Sequence, residues 1–451
     1  MSFFSNLMRH VVPTSHHTRG GVHVAHKKHT EDALPVSLPP GARVYLPLRQ
    51  HIGAPCQATV KVGDQVKIGD LIADGEGLCT PLHASVSGKI TKIADIPTTM
   101  GLHTPAIEIE SDGLMELSEN LAPIQVENKE DFLKALRQSG YVGLGGAGFP
   151  TYFKLTIPEG KEVDTLVVNG AECEPYITVD YRAFLDRQED FIYALELISR
   201  FLPIKKISIG IEANKPKAIA AIKNRCAKAP TLPETEVVTL RAQYPQGGEK
   251  VLIKECTGRS IPIGKLPLDI GCIVMNVSTL AGIGTYFRTG LPLVEKYLTV
   301  DGEGVSKPMN VRVPLGMPVK EVLAACEGPN DKTEKILMGG PMMGIALDQI
   351  DQPILKYNNA ILALSQNDLP KEQSAGPCIR CGSCVSVCPM QLMPTLIKRG
   401  TDLGQVAALK KSNVMTCMEC GSCAYACPAH IPLVQYMRLG KAMIRKEGTR
   451  S

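Results

Sequence analysis

The sequence predicts an α/β multidomain protein that begins with a small β domain and ends in a helical domain built on clustered cysteines. Three observations support this fold class. The 451 residues are enough for several hydrophobic cores, strand-like and helix-like patterns alternate through the middle, and eight of the 15 cysteines fall in one C-terminal segment. Apolar residues make up 44 % of the chain and charged residues 21 %, which is typical of globular domains.

Composition and charge narrow the function classes. The formal net charge is only +4 and tryptophan is absent, so nothing favours a nucleic-acid-binding surface. The N-terminus lacks the apolar segment of a secretory signal, and the most apolar stretch, residues 270–284, is interrupted by polar side chains. We therefore expect no transmembrane segment, a reducing compartment, and membrane association only through a partner.

Residues 1–34 predict a flexible or partner-bound N-terminal arm. The arm carries Lys27 and Lys28 beside several histidines whose spacing matches no common metal site. These histidines are His10, His16, His17, His23, His26 and His29.

Residues 35–120 predict a β domain, because they are rich in Gly, Pro and Val and contain short alternating runs. The segment resembles the barrel-sandwich domains that carry biotin or lipoate. Those carriers present a lysine in a hairpin between their halves, whereas the matching stretch here, "GEGLCTPLHA", has none. We therefore expect a packing or docking module without a covalent cofactor.

Residues 125–290 predict a ligand-binding α/β domain that opens on a glycine loop. An amphipathic helix over residues 131–138 ends at Gly140, and the loop that follows leads through Pro150 to a new helix near Lys154. The loop glycines are Gly143, Gly145, Gly146 and Gly148. Glycines let backbone N–H groups approach a phosphate, but a helix rather than a strand precedes them, so the loop is not a Rossmann fingerprint. Taken alone, the loop is equally consistent with a flexible turn.

Three polar junctions follow in the same domain. A buried strand over 165–168 ends at Asn169 and leads to Glu172 and Glu174, which alternatively form a solvated acidic turn. Gly247, Gly248, Glu249 and Lys250 precede an apolar helix, and Asn276 and Thr279 lie at a strand-to-helix junction. Polar groups at such ends are well placed to meet a ligand.

Residues 367–440 predict a domain with two iron–sulfur clusters. Two runs of the form C-x2-C-x2-C-x3-C-P are separated by two short helices, and a zinc site does not follow this pattern. Because the fourth cysteine of each run ligates the other cluster in two-cluster ferredoxins, we assign the ligands in crossed sets. One [4Fe–4S] cluster takes Cys378, Cys381, Cys384 and Cys427, and the other takes Cys417, Cys420, Cys423 and Cys388. Residues 441–451 predict a basic tail.

The motifs GxGGAGFPT…K, VxNxxExEP, YPxGxEK and NVxTLA, in this order, resemble the flavin- and NADH-binding subunit of respiratory complex I. They are more similar still to the RnfC family of Rnf-type electron-transport complexes. Residues 291–366 resemble the β-grasp domain that accompanies the flavin domain in these families, where we expect its methionines, Met338, Met342 and Met343, to form a packing surface.

The resemblance implies non-covalent FMN and NADH as substrate, with Lys154, Glu172 and Glu174 as catalytic residues. The implied cofactor-binding residues are Gly143, Gly145, Gly146, Gly148, Phe149, Lys154, Asn169, Glu172, Glu174, Gly248, Glu249, Asn276 and Thr279. Phe149 is alternatively a core side chain. Two departures from complex I bear on the NADH site: Ala171 stands where an aspartate is usual, and Lys250 where a glutamate is usual.

The implied protein is a peripheral subunit of a membrane-bound, ion-translocating NAD:ferredoxin oxidoreductase complex. It lies on the cytoplasmic face and works with integral-membrane and iron–sulfur subunits, and with ferredoxin through the complex. A flavin is the expected converter between hydride and single-electron chemistry. Two alternatives are a soluble flavin and iron–sulfur cobalamin reductase, and an electron relay with a degenerate flavin site.

Overall fold

The structure, a computed structural model, describes residues 18–98, 103–369 and 374–448. They form four sheets and a C-terminal helical region, arranged as four successive domains behind an N-terminal arm. The arm histidines His10, His16 and His17 lie outside the described residues. No helix within the described part combines the length and the apolar run that a bilayer crossing needs.

The first strand, β1 (Val36–Ser37), does not belong to the β domain that follows it in sequence. It pairs in parallel with a strand of the third domain, Val36 opposite Val311. The β domain itself consists of two antiparallel sheets, as the alternating sequence predicts, whose inner faces share one core that includes Val44, Ile72 and Ile109. Its strands are β2 (Arg43–Pro47), β3 (Gln57–Ala58), β4 (Gln65–Val66), β5 (Leu71–Asp74), β6 (Leu82–His83), β7 (Gly88–Pro97) and β8 (His103–Ser111).

The second domain is a four-stranded parallel sheet with helices packed against it. The strand order is β11-β10-β9-β12, so β9 and β12 are neighbours and their carboxyl ends lie at one edge. Its elements are α1 (Lys129–Gln138), α2 (Thr151–Leu155), β9 (Thr165–Gly170), α3 (Val179–Asp186), α4 (Gln188–Phe201), β10 (Lys206–Glu212), α5 (Pro216–Ala227), β11 (Glu234–Leu240), α6 (Glu249–Thr257), a 3-10 turn (Pro267–Ile270), β12 (Cys272–Asn276) and α7 (Val277–Thr289).

Helix α1 has the ends that the sequence predicts. The Asn128 side chain accepts a hydrogen bond from the backbone N–H of Asp131, and Gly140 follows the helix at φ 71°, which glycine adopts without strain. The glycine loop therefore follows a helix, and the rejection of a Rossmann loop is confirmed.

The third domain is a mixed six-stranded sheet in the order β1-β14-β13-β17-β15-β16, with a helix packed on it through Val319, Val322 and Leu323. Its elements are β13 (Glu295–Asp301), β14 (Met309–Pro314), α8 (Val319–Ala325), β15 (Thr333–Met338), β16 (Ile345–Ala346) and β17 (Ala360–Ser365). Only β1 and the β13–β17 pair run in parallel, which fits the predicted β-grasp type.

The C-terminal domain repeats a short helix after each cysteine turn. Gly382 and Gly421 open these helices at φ 81° and 83°, the left-handed conformation that the tight turn requires. The elements are α9 (Ser383–Ser386), α10 (Pro394–Asp402), α11 (Val406–Lys411), a 3-10 turn (Val414–Thr416), α12 (Ser422–Tyr425) and α13 (Leu433–Gly448). The two predicted connecting helices are α10 and α11.

Candidate functional site

The carboxyl edge of the parallel sheet gathers the four sequence motifs of the second domain. The Asn169 side chain, at the end of β9, donates a 2.9 Å hydrogen bond to the carbonyl of Gly247. On the other side, the backbone N–H of Leu144 in the glycine loop donates to Oγ1 of Thr279 at 3.0 Å. The side chain of Asn276 caps α7 by accepting the Thr279 N–H. One site is therefore assembled from segments more than 100 residues apart.

Two of the glycines are required by close approach. A Cβ on Gly145 would lie 2.8 Å from Nδ2 of Asn276, and a Cβ on Gly247 would lie 2.6 Å from the carbonyl oxygen of Ala171. Gly146 faces open space, and Gly145 to Ala147 are exposed. Glycines thus leave an open, backbone-lined cradle, which fits the phosphate end of a flavin nucleotide.

The ends of the glycine loop are fixed by their own contacts. The N–H of Gly143 donates to the carbonyl of Phe149 at 2.9 Å, so it closes the loop from within. Gly148 has φ 66° and approaches the ring of Tyr357 in the third domain. The part-buried ring of Phe149 packs edge-on against Phe153 at 5.9 Å between centroids. These contacts hold the loop in place while its middle stays open.

Lys154 lies in the last turn of α2 and not at a helix start. Its ammonium forms a 2.9 Å ion pair with Glu249, the first residue of α6, and both side chains are partly exposed. The pair joins two of the predicted motifs beside the cradle. A phosphate arriving there would meet a cation that is already placed by Glu249.

Glu172 and Glu174 do not form a solvated turn; that interpretation is wrong. The buried Glu172 carboxylate accepts the backbone N–H of Asp180, in the first turn of α3, at 2.7 Å. Glu174 accepts the N–H groups of Met342 and Met343 in the third domain, each at 3.0 Å. Desolvation raises the pKa of each glutamate to about 7. Both predicted catalytic carboxylates are therefore engaged by the protein's own backbone.

Several groups at the site escaped the sequence motifs. Asp180 accepts the Asn276 side-chain amide at 2.7 Å and the Ser278 hydroxyl at 2.5 Å. The buried Lys296, from the third domain, donates to the carbonyl of Leu144 at 3.2 Å, and desolvation lowers the pKa of its ammonium to about 7. Neither residue stands in a recognisable local motif, because each is brought in by tertiary packing.

The eight C-terminal cysteines line two cavities, in the crossed sets that the sequence predicts. We call them the inner cavity and the outer cavity. The inner cavity is lined by Cys388, Cys417, Cys420 and Cys423, and the outer cavity by Cys378, Cys381, Cys384 and Cys427. Four sulfurs converging from a wrapped backbone form the donor set that a [4Fe–4S] cube needs.

The inner cavity lies directly against the second domain. Oη of Tyr244 donates a 2.6 Å hydrogen bond to the carbonyl of Cys420, and a Cβ on Gly248 would collide with Cε of Met418. At the outer cavity, by contrast, Cys378 and Cys381 are exposed, and so is Ile379 at 66 %. One cavity thus faces the glycine-loop domain and the other faces solvent.

A third cysteine group lies in the β domain but does not act as an open metal site. The thiols of Cys56 and Cys79 are 3.4 Å apart beside His51, whose Nε2 accepts the N–H of Thr80 at 3.2 Å. The buried Lys356 ammonium nearby donates to carbonyls of two domains. Because the imidazole lone pair is already used and a cation lies close by, we interpret this group as a polar core where domains meet.

Four family models match successive parts of the chain. They are the RnfC barrel sandwich hybrid domain over residues 16–114, the Nuo51 FMN-binding domain over 136–285, the SLBB domain over 297–346 and a 4Fe-4S dicluster domain over 377–431. These matches agree with the four domains of the fold.

Whole-chain relatives are also similar. The RnfC-type protein of the proton-translocating ferredoxin:NAD(+) oxidoreductase complex of Clostridium ljungdahlii is 41 % identical, over 96 % of this chain and 95 % of that protein. Its counterpart in the Na(+)-translocating complex of Acetobacterium woodii is 39 % identical, over 94 % and 96 %. The counterpart in the ion-translocating oxidoreductase complex of Pseudomonas aeruginosa is 41 % identical over 95 % of this chain and 56 % of that longer protein. Among solved structures, an NAD+-reducing [NiFe]-hydrogenase covers 70 % of this chain and 63 % of its own, with TM-score 0.48 and 17 % identity.

Proposed function

The chain belongs to the RnfC family of ion-translocating ferredoxin:NAD(+) oxidoreductase complexes, and we propose that it carries electrons between NADH and that complex through FMN and two [4Fe–4S] clusters. The contact between the inner cavity and the glycine-loop domain is the observation that carries the proposal. When bound, FMN exchanges a hydride with a nicotinamide and single electrons with iron–sulfur centres. Family membership favours this function over a cobalamin reductase.

We propose that the glycine-loop cradle holds the flavin. The open backbone around Gly145 and Gly146 supplies N–H donors, and Lys154 supplies positive charge at the cradle's edge. Asn169 and Asn276 are fixed by hydrogen bonds at the ends of neighbouring strands, so their amides do not need to reorganise when a ligand binds. Pre-oriented donors of this kind orient a flavin and exclude water from its face.

The cysteine sets would hold the clusters in a fixed order. The inner cavity touches the second domain through Tyr244 and Gly248, whereas the outer cavity has exposed walls. We infer that electrons from the flavin domain meet the inner cysteine set first and leave through the outer set. The chain's own contribution is to keep the two cavities and the cradle in one rigid arrangement.

The outer cavity is the proposed contact with the rest of the complex. Its wall exposes Ile379, and large apolar side chains on the same domain, among them Leu396, Leu403 and Leu439, are also about half exposed. An apolar surface around a redox site suits a protein partner better than water. We propose an iron–sulfur subunit of the complex as that partner, with the chain held peripherally on the cytoplasmic side of the membrane.

The test uses the purified chain with reconstituted clusters and FMN under anaerobic conditions. NADH should bleach the flavin and cluster absorbance, and dithionite should add little further bleaching. In Cys420→Ser, NADH should bleach the flavin while the change at cluster wavelengths is largely lost. If dithionite bleaches the clusters and NADH bleaches nothing, the chain is a relay whose donor lies elsewhere, and the proposed function fails.

A further inference from the structure

The described part of the N-terminal arm is not a loose segment, contrary to the expectation from composition. Val22 pairs with Tyr244 of the second domain, and the N–H of Gly21 donates to the carbonyl of Val387 in the C-terminal domain at 2.8 Å. Lys27 forms a 2.7 Å ion pair with Asp368 at the end of the third domain. Residues 18–34 therefore form a strap across three domains.

Lys28, in the middle of this strap, enters the acidic loop of the site. Its ammonium donates to the carbonyls of Glu172 and Glu174 at 2.9 and 2.8 Å and also to the carbonyl of Ile177. The three N–H bonds of an ammonium thus match three carbonyls of one loop, residues 171–177. The stem of Lys28 is partly exposed, whereas its ammonium is buried.

The loop that Lys28 holds connects two parts of the site. It starts just after Asn169, whose amide is bonded to the Gly247 segment, and it ends at α3, which carries Asp180. Within the loop the N–H of Glu172 donates to Glu212 at 3.1 Å, and Glu212 forms a 2.8 Å ion pair with Lys215. A shift of this backbone would therefore move groups on both sides of the cradle.

The charges around the loop also depend on Lys28. The carboxyl of Glu172 faces the cations of Lys28 and Lys215 and the carboxylate of Asp180, and Glu212 lies beside Lys215. Three carboxylates thus share two buried lysines. Removing one of those lysines would leave buried negative charge without compensation.

We propose that Lys28 is a positioning residue of the flavin and nicotinamide site, which it reaches from outside the flavin domain and serves by fixing the acidic loop through three carbonyls. This inference rests on the proposed function. It assigns the strap a role in NADH oxidation that neither the glycine loop nor the cysteine runs indicate.

The test compares Lys28→Met with Lys28→Arg in the reconstituted chain, using anaerobic reduction by NADH. Because small displacements of positioning groups are costly, we expect Lys28→Met to raise the KM for NADH about tenfold or more. Loss of the cation should also raise the pKa of Glu172, so the acid limb of the kcat/KM profile should move to higher pH. Lys28→Arg cannot match three carbonyls with a planar fork, so its KM should rise too, but the retained charge should leave the acid limb in place.

Lys217→Met is the matched control. Lys217 also ties the strap to the second domain, through a 2.7 Å ion pair with Asp32, but both partners are exposed. An exposed pair contributes little, so this variant should keep the wild-type KM. Iron content and dithionite bleaching report folding in every variant.

Wild-type KM values in both Lys28 variants would overturn the inference while leaving the proposed function intact. If Lys28→Met fails to retain clusters, the KM of Lys28→Arg decides in the same way. If the wild-type chain itself does not react with NADH, the proposed function has failed, and that result is distinct from any effect of Lys28.

Discussion

The hydroxyl of Tyr244 donates a 2.6 Å hydrogen bond to the carbonyl oxygen of Cys420, and so joins the glycine-loop domain to a cysteine of the inner cavity. Tyr244 is buried, and burial raises the pKa of its phenol, so it remains a donor at any physiological pH. This bond is a short direct link between the two proposed redox regions.

Tyr244→Phe should slow the NADH-dependent bleaching of the clusters more than that of the flavin. The change leaves the carbonyl of Cys420 without its donor, which costs about 1–3 kcal/mol and loosens the contact. Stopped-flow absorbance at flavin and cluster wavelengths measures the two steps. Tyr425→Phe is the control, because its exposed hydroxyl makes only a long 3.4 Å bond to the carbonyl of His23. Equal rates in all three proteins would show that the Tyr244 contact does not matter.

Crossed ligation of the clusters can be tested by pairing cysteine variants. Cys388→Ser with Cys420→Ser removes two inner ligands, so the chain should keep one cluster, about four irons. Cys388→Ser with Cys384→Ser removes a ligand from each set and should leave almost no iron. Iron and sulfide analysis after reconstitution measures both.

Ligation within each run would give the opposite iron contents for these two double variants, because Cys384 and Cys388 would then share a cluster. Cys326→Ser, at a buried cysteine of the third domain, controls for the general effect of removing a thiol.

Lys154→Met should weaken flavin binding more than it weakens the fold. The Lys154–Glu249 pair is 30 % and 41 % exposed, so its loss should lower the free energy of unfolding by less than about 1 kcal/mol. The loss of a cation at the phosphate edge should raise the Kd for FMN about tenfold. Fluorescence titration of the flavin-free chain measures the Kd. Lys161→Met, which breaks a comparable surface pair with Asp269, should leave the Kd unchanged; an equal effect there would refute a phosphate role for Lys154.

Glu174→Gln should gain stability relative to the wild type as the pH rises. Burial raises the pKa of Glu174 to about 7 from an ordinary value near 4.5, so its ionisation destabilises the fold increasingly as the pH rises from about 5 through 7. The amide cannot ionise, and the difference amounts to about 3 kcal/mol at most. Apparent Tm between pH 5 and 8 measures the trend, with the exposed Glu234→Gln as control. A difference that stays constant with pH would contradict the buried-carboxyl assignment.

Ile379→Glu should impair transfer to the partner without affecting the reaction with NADH. Ile379 lines the outer cavity and is 66 % exposed, so a charge there opposes docking of an apolar partner surface but disturbs no core. Anaerobic bleaching by NADH should match the wild type, whereas electron transfer in the reassembled complex should slow. Leu114→Glu, at an exposed leucine of the β domain, should leave both steps unchanged.

The sequence by itself determined the parts whose chemistry is local. Cysteine spacing indicates two clusters because four thiolates must converge from a tight turn, and Gly382 and Gly421 mark those turns at positive φ. Alternating strands and capped helices predict the domain types, and the end of α1 at Gly140 follows from the same local rules. The order of four short motifs was sufficient to indicate the flavin domain.

Only the tertiary structure decided which groups act together. Glu172 and Glu174 follow a strand end in the sequence, but α3 and the third domain supply the N–H groups that occupy their carboxylates. Lys28 lies about 140 residues before the loop it holds, and β1 joins a sheet formed some 270 residues later. Hydrogen bonding and charge compensation depend on distances of a few ångströms, and local patterning carries no information about such distances between remote segments.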